Sequence, residues 1–341
     1  MAAESRVKDT LQQIGDCLGR HGSLGREEAL LVLADRAAAL PELLAATDRL
    51  RRAHSGDRIR LCSIVNARSG ACAEDCAFCA QSAHWTASVE RYPLLSPEEL
   101  AAAAESSAAA GAGEFSIVTS GAGIRSDKEY AAIEQALRRI SAAGRVQTCA
   151  SLGRLDLAGL RRLKEAGLEC FHHNLEAGSS FFPKICSTHT HQERVEMVRL
   201  ARQTGLRVCS GGIFGLGESD EQRVELAFEL KALDVDSLPL NFLRPIPGTP
   251  LADADYLTPE TCLRIIAMFR LVLPDKDIVI CGGREHNLRE LHPLVFWAGA
   301  NGILTGDYLT TRGRRTADDL ALLRDLGFEP YHDGYDRPGD S

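Results

Sequence analysis

Residues 69–85 read SGACAEDCAFCAQSAHW and place Cys72, Cys76 and Cys79 in a C-x3-C-x2-C array. Three thiolates within eight residues can face one metal centre, and soft sulfur ligands suit iron–sulfur clusters and zinc. Structural zinc closes its tetrahedron with four protein ligands; only His84 stands near enough in sequence to complete that set. Three ligands on a four-iron cluster would instead leave one iron open to a small molecule. Gly70 allows a tight turn, and Phe78, just before the last cysteine, is placed to stack on an aromatic ligand. Simple packing of buried cysteines is the remaining reading. The Glu74, Asp75 and Gln81 of the same loop weigh against it.

Length and composition bound the rest. A chain of 341 residues suffices for two ordinary domains or one large barrel. Its charged fraction of 25% and hydrophobic fraction of 45% are those of a soluble globular protein. A formal net charge of −8 without a Lys/Arg-rich run argues against nucleic acid as partner. The start, MAAESRVKDTLQQIG, lacks the apolar core of a secretory signal, and no stretch approaches a membrane span. Eleven cysteines in such a chain point to a reducing compartment, the cytoplasm, and to ligands or core residues rather than disulfides.

Residues 1–59 read as an N-terminal helical extension: a periodic segment ending near Gly22 and Gly25, a second ending at Pro41, and a third with Pro41 in its first turn. From residue 60 to about 330, strand-like runs alternate with amphipathic helices. Strands are expected at 60–67, 114–120, 145–151, 168–176, 207–215, 237–244, 277–283 and 302–306. Helices are expected at 97–110, 127–143, 156–166, 191–204, 220–233, 259–273, 285–298 and 316–326. Eight consecutive βα units predict a closed (β/α)8 barrel of the TIM type, an α/β fold. Residues 331–341, YHDGYDRPGDS, read as a disordered tail.

Function in such barrels collects at the C-terminal ends of the strands, and the unusual residues fall there. The cysteine loop follows strand one, and Thr119, Ser120 and Gly121 follow strand two. Cys149 lies late in strand three, His172 to Glu176 end strand four, and Cys209 lies in strand five. Asn241 lies in strand six, and Cys281 and Arg284 leave strand seven. A single strand cysteine is usually core, but two that face the lumen of a metal-loop barrel suggest a second site. His172 and His173 point to opposite faces, so at most one reaches the lumen. Asn174 and Glu176 share a face suited to hydroxyls or a ureido group. Arg194, early in the following helix, is a candidate carboxylate clamp; otherwise it is a solvated helix residue.

The C-x3-C-x2-C array with an aromatic before its last cysteine resembles the signature of the radical S-adenosylmethionine enzymes. The longer string NARSGACAEDCAFCAQSAHW resembles that of the biotin synthases. HHNLEAGSSFFPKI, THTHQERVE, VCSGGIFGLGES, NFLRPIPGTPL, GGRE and AGANGILTG extend the resemblance over roughly residues 59–313. It implies a [4Fe-4S] cluster on Cys72, Cys76 and Cys79, with S-adenosyl-L-methionine at the open iron. Phe78, Ser120, Asn174, Glu176 and Arg194 would hold that cofactor. Asn241 and His172 would lie near the substrate, dethiobiotin, with His172 standing where better-known members carry Asn. A second cluster, [2Fe-2S] or a larger variant, would donate the sulfur, and Cys149, Cys209 and Arg284 match its ligands.

The remaining ligand position of that second cluster falls on Ser116, a departure from the family pattern. Serine is a hard, protonated substitute for thiolate, so Cys281 is expected to supply the ligand instead. In a regular strand residues 281 and 284 face opposite sides, and both reach the lumen only if Gly282 and Gly283 bend the chain. Cys62 and Cys170 are placed at the starts of strands one and four, the wrong end for this role, and Cys186 and Cys262 on a loop and a helix. The resemblance further implies a sulfurtransferase reaction. A 5′-deoxyadenosyl radical removes hydrogen from dethiobiotin, and the carbon radical takes sulfide, with a small reducing protein as electron donor and a homodimer as the assembly. Two rivals stand beside this reading. One is another barrel enzyme of the superfamily, of the hydrogenase-maturation or methylornithine-forming kind, which strand cysteines at 149 and 209 disfavour. The other is a non-catalytic iron–sulfur redox sensor, which needs no Asn174, Arg194 or Asn241.

Overall fold

The computed structural model describes residues 2–34 and 40–331. Helices α1 (Ala2–His21), α2 (Arg26–Ala34) and α3 (Leu40–Ser55) precede β1 (Arg58–Arg68). Then follow β2 (Glu114–Thr119), β3 (Gln147–Ser151), β4 (Cys170–His172), β5 (Arg207–Cys209), β6 (Gly212–Phe214), β7 (Ser237–Phe242), β8 (Asp277–Ile280) and β9 (Gly302–Leu304). All pairings are parallel, and β9 returns to β1, so the sheet closes into a (β/α)8 barrel. β5 and β6 form one stave broken at Ser210 and Gly211. The break has a steric cause: a Cβ on Gly211 would meet the Pro239 carbonyl oxygen at 2.0 Å. Neighbouring backbone closes in there, and only glycine fits.

Between the strands run α4 (Pro97–Ala109), α5 (Asp127–Ala143), α6 (Leu157–Glu165), α7 (His191–Gln203), α8 (Asp220–Ala232), α9 (Pro259–Val272), α10 (Arg284–Leu288) and α11 (Thr316–Asp325). The start of α7 matters for function. Thr190 and Glu193 form a capping box, which satisfies the first free N–H groups and sets Arg194 in the first turn, beside the strand ends. Helix α9 is buried from Cys262 to Val272 because the N-terminal helices cover its outer side. Leu24 N–H donates to the Leu271 carbonyl, and Arg264 donates to the Val32 carbonyl.

Several expected boundaries move. Strand four is short, Cys170–His172, and the chain rejoins the sheet only at Glu176 (φ 72°), bridged to Gly212. The helix expected at 285–298 is a five-residue α10 followed by a 3₁₀ segment, Arg289–Val295. Arg289 sits at φ 49°, and Pro293 removes a donor. Tyr331 ends β10 (Glu329–Tyr331), which pairs with the start of β1, whereas the rest of the expected tail, 332–341, lies outside the described residues. No helix among the described residues is long and apolar enough to cross a membrane.

The barrel floor is polar. Arg60 donates to Asp277 at 2.9 Å and to the Tyr331 hydroxyl at 2.8 Å, and sits 3.4 Å from Glu114. Asp277 also meets His54 at 3.0 Å and accepts from Asn301 at 2.7 Å. Burial pushes the Asp277 carboxyl up, but the His54 and Asn301 bonds and the Arg60 charge outweigh it and hold the group well below the carboxylate range. Because the folded value is depressed, its contribution is complete above the unfolded value of about 3.9 and is lost as pH falls toward the folded value. Asp277→Ala strips the buried Arg60 of its main partner. It should lower the free energy of unfolding by about 3–5 kcal/mol, read from urea denaturation at neutral pH. A loss under about 1 kcal/mol, typical of an exposed pair, would show that the floor does not depend on it.

Candidate functional site

Beyond β1 the chain turns through Gly70 (φ 70°) and Ala71 (φ 49°); a left-handed alanine is uncommon and marks a backbone held by its surroundings. Gln81 holds it. Its side-chain oxygen accepts from the Gly70 N–H at 3.0 Å and from the Ser69 hydroxyl at 3.2 Å, and its carbonyl accepts from Cys72 N–H. Ser120, at the end of β2, donates its hydroxyl to the Gly70 carbonyl at 2.8 Å. Trp85 donates its indole N–H to the Cys76 carbonyl at 3.0 Å.

The loop leading into α7 clasps the cysteine loop from outside. Asp75 accepts the N–H groups of Ser187 and Thr188 at 2.9 and 3.2 Å, and both their hydroxyls. Those bonds overcome its burial and hold the Asp75 carboxyl well below the usual range. Cys72 and Cys76 are buried at 9% and 8% exposure, Cys79 less so. Burial pushes the Cys79 thiol up to about 11; Cys76 lies higher still, first through its hydrogen bond with Cys186 and then through burial. A metal must therefore displace protons to bind here, as thiolate ligands require. His84 does not gather with these thiols: its Nε2 lies 2.9 Å from the Ala73 carbonyl oxygen, and it joins no group of metal-capable side chains among the described residues.

Facing this loop are the strand-four residues. Asn174 donates to Glu176 at 3.2 Å and accepts from the Gly211 N–H at 3.1 Å. Arg194 donates to the Asn174 carbonyl at 2.9 Å and to His189 Nε2 at 3.0 Å, and lies 3.7 Å from Glu176. Burial raises the Glu176 carboxyl, with Arg194 opposing. Phe78, Ser120, His172, Asn174, Glu176, Arg194 and Asn241 all line one cavity of about 420 Å³. His172 faces it, its imidazole kept neutral by burial, whereas His173 stacks on Phe171. Asn241 is braced by the Gly282 N–H at 2.9 Å.

Below the cysteine loop the same cavity has a wall of sulfur. Cys62, Cys149, Cys209 and Cys281 line it, with Ser116 and Glu114 between. Strand register sets Ser116, Cys149 and Cys170 at one level on β2, β3 and β4. Cys170 is fully buried and bonded to both Cys149 and Cys209, which hold its thiol low while theirs are pushed up. The expectation that Cys62 and Cys170 stand at the wrong end is overturned. Strand β1 begins two residues earlier than expected, so Cys62 is its fifth residue, and β4 is so short that its first residue already lies at the cysteine level. Glu114, also missed, is pushed up to about 7 by burial. Residue parity was the available signal: Cys170 shares a face with His172, Asn174 and Glu176.

Arg284, expected among the second-cluster ligands, does not line the cavity, and its buried Nε and Nη1 have no hydrogen-bond partner among the described residues. The chain turns at Gly283 (φ 76°) and Arg284 opens α10, so it leaves the lumen and lies outside the cavity lining. Its fully buried guanidinium pairs with Asp319 at 2.9 Å, and Asp319 also accepts from Thr305 at 2.9 Å. Cys281 lies on the lumen side of that turn, its thiol pushed up to about 12 by burial.

Comparison with known proteins agrees with this geometry. Residues 67–230 match the family described as the Radical SAM superfamily, and residues 239–329 match the Biotin and Thiamin Synthesis associated domain. The biotin synthase of Trichlorobacter lovleyi is 54% identical over 89% of this chain and 92% of its own. That of Geobacter sulfurreducens is 50% identical over 89% of this chain and 93% of its own. Among solved structures, methylornithine synthase superposes with a TM-score of 0.80 at 20% identity, over 94% of this chain and 97% of that one. A maturase of the [FeFe]-hydrogenase does so with a TM-score of 0.80 at 16% identity, over 96% of this chain and 76% of that one; at such identities the likeness concerns fold alone.

The placement of Arg284 predicts a structural phenotype. Asp319→Ala leaves the fully buried Arg284 with only Glu285, 3.4 Å away, as ion-pair partner among the described residues, and should cost about 3–5 kcal/mol of stability. Arg284→Met leaves Asp319 its contacts with Arg314 at 3.1 Å and Thr305 at 2.9 Å and should cost less, and the double variant should cost less than the sum of the two. Urea denaturation of the three variants reads this directly; additive losses would mean that the pair is not coupled.

Proposed function

The chain belongs to the biotin synthase family, and from that premise we propose that it forms biotin from dethiobiotin by inserting sulfur between two unactivated carbons. The observation that carries the reading is the meeting, in one cavity, of the C-x3-C-x2-C thiols, the Asn174–Glu176–Arg194 group and a second wall of cysteines. The donor set fits the groups concerned. Cys72, Cys76 and Cys79 would hold a [4Fe-4S] cluster, with soft thiolates and no fourth ligand from His84. Asn174 and Glu176 offer an amide and a carboxyl to the hydroxyls and ammonium of S-adenosyl-L-methionine, and Arg194 a guanidinium to its carboxylate. When bound, the cluster and this cofactor supply a one-electron reduction and a radical able to take hydrogen from an unactivated carbon.

The chain's own part is placement and shielding. Phe78 offers a ring face to the adenine side, and Ser120 acts one step back by fixing Gly70. Neutral His172 can donate and accept at once, and with Asn241 suits the ureido ring of dethiobiotin. Val118, Ile213, Val279 and Leu304 give the cavity apolar walls that exclude water and hold reacting atoms close. For the second cluster, [2Fe-2S] or larger, Cys149 and Cys209 are joined by Cys281 in place of Ser116, and Cys170 is a further thiol in reach of the first two. Family resemblance supports a small reducing protein as electron donor and a homodimer. The cytoplasm suits a chain whose eleven cysteines are all unpaired.

Two experiments test this reading. Anaerobically reconstituted protein with dithionite, S-adenosyl-L-methionine and dethiobiotin should yield biotin and 5′-deoxyadenosine. Cys76→Ala should keep the wild-type circular dichroism and yield neither; 5′-deoxyadenosine at wild-type levels from that variant would sink the assignment. The second experiment compares Mössbauer spectra of reconstituted Cys281→Ala, Cys170→Ala and Ser116→Ala. The second-cluster signal should be lost in the first, lost or altered in the second and intact in the third. Loss in Ser116→Ala with retention in Cys281→Ala would return the ligand role to the serine.

A further inference from the structure

Cys186 has no part in the chemistry above, yet it sits against the middle cysteine of the metal-binding loop. Its sulfur lies 3.9 Å from that of Cys76 and 3.2 Å from the Asp75 carboxylate. The two sulfurs belong to different loops, but the bonds of Ser187 and Thr188 to Asp75 pin one loop to the other. Ala77 N–H adds a bond to the Ile185 carbonyl at 2.8 Å. The neighbour of Cys76 is thus held in place on both sides. Closing the gap to a disulfide of about 2.05 Å needs roughly 2 Å of sulfur movement, which side-chain rotation on two loops can supply.

Access is unequal. Cys76 lines the main cavity, whereas Cys186 is buried and does not. The cavity gives a small oxidant a path to the pair. His189 stands in the same cluster, and the ligand atoms of Cys76, Cys186 and His189 lie within 4.8 Å of one another, which raises the alternative of a bound zinc. His189 is already committed, however. Its Nε2 accepts from Arg194 at 3.0 Å, which leaves the ring proton on Nδ1, 2.7 Å from Glu74. In that arrangement neither nitrogen has a lone pair free for a metal.

We propose that in the metal-free protein Cys76 and Cys186 form a reversible disulfide that shelters the central cluster ligand from irreversible oxidation. The oxidant is a peroxide. It converts one thiol of the pair to a sulfenic acid with release of one water. The sulfur of the other then attacks the oxidised sulfur, the S–O bond breaks and a second water leaves. Two thiols lose two electrons and two protons, and one hydrogen peroxide becomes two waters. Without Cys186 a sulfenic acid at Cys76 has no resolving partner from this loop, and a second peroxide carries it to sulfinic acid with release of another water, a state that thiols do not reverse. The bond forms or fails whatever cluster the loop later holds, so this inference and the functional reading fail separately.

The test uses the full chain, stripped of iron and treated with one equivalent of hydrogen peroxide. Free thiols are then alkylated and the protein is cut with trypsin without reduction. Peptide 69–91 should appear linked to peptide 185–194, with fragmentation placing the bond at Cys76. The link should vanish in Cys76→Ser and Cys186→Ser. In Cys186→Ser treated with excess peroxide, sulfinic acid at Cys76 should rise at least tenfold over wild type treated alike, and dithiothreitol should no longer restore the iron content reached by reduced protein. A disulfide confined to peptide 69–91 would overturn the proposal, as would equal recovery of iron binding in Cys186→Ser. Stoichiometric zinc that leaves both thiols unreacted would do the same.

Discussion

In a closed barrel each strand has one inward face, and that alternation decides which sulfur atoms of this chain can meet. Residues 62 and 64 on β1, 114, 116 and 118 on β2, 149 and 151 on β3, and 279 and 281 at β8 all line the cavity, mainly every second residue, with Ser63 and Thr119 reaching it from the strand edges. Register then fixes the level. The pairing of Ser116 with Cys149 and of Cys149 with Cys170 sets three strands side by side. Without closure between β9 and β1, Cys62 and Cys281 would lie at opposite edges of an open sheet.

Where the strands stop, hydrogen bonds to a few side chains take over from the sheet. Gln81 and Ser120 hold the turn at Gly70, and Asp75 draws the loop before α7 onto the cysteine loop. Arg194 links that loop to strand four through the Asn174 carbonyl and His189. Gln81, Ser120 and Asn174 are buried, so each bond lost there leaves a polar group dry, at about 1–3 kcal/mol, whereas Ser187 and Thr188 face solvent and their bonds to Asp75 act by number. The left-handed backbones of Ala71 and Glu176 persist for the same reason: their surroundings over-determine them. Rigidity at the top of the barrel thus comes from polar bonds, whereas apolar packing holds the body, as buried α9 between the sheet and α2 and α3 shows.

That division also explains what was legible in the sequence. Strand and helix periodicity predicts the barrel, because it reports which faces are buried, and C-x3-C-x2-C announces its chemistry within eight residues. Positions that depend on where a strand starts or stops were harder to read. Cys170 and Cys62 looked misplaced because strand ends were drawn one or two residues off. Arg284 looked like a lumen residue until Gly283 turned the chain into α10. Gln81, His189 and Cys186 act through contacts over a hundred residues or across a turn, such as Cys76 with Cys186; no spacing rule reaches that far.

Charge in the lumen follows from burial. The thiols of Cys62, Cys149, Cys209 and Cys281 are pushed up, Glu114 is held near 7, and Glu176 is raised. Cys170, which takes hydrogen bonds from two neighbouring thiols, is driven the other way, as is Glu74 at the rim, where burial is outweighed by bonds to Thr188 and His189. An empty cavity of this kind suppresses negative charge, because buried anions without partners are costly. Positive charge waits at its floor instead, where Arg60 is buried against Asp277 and Glu114. Iron entering such a cavity must displace several protons, so loading is favoured as pH rises. Once metal charge is present, the same low dielectric that opposed the thiolates strengthens their hold on it. Burial therefore acts in both directions: it makes a lone thiolate costly here, and it would strengthen a thiolate's hold on any metal ion bound beside it.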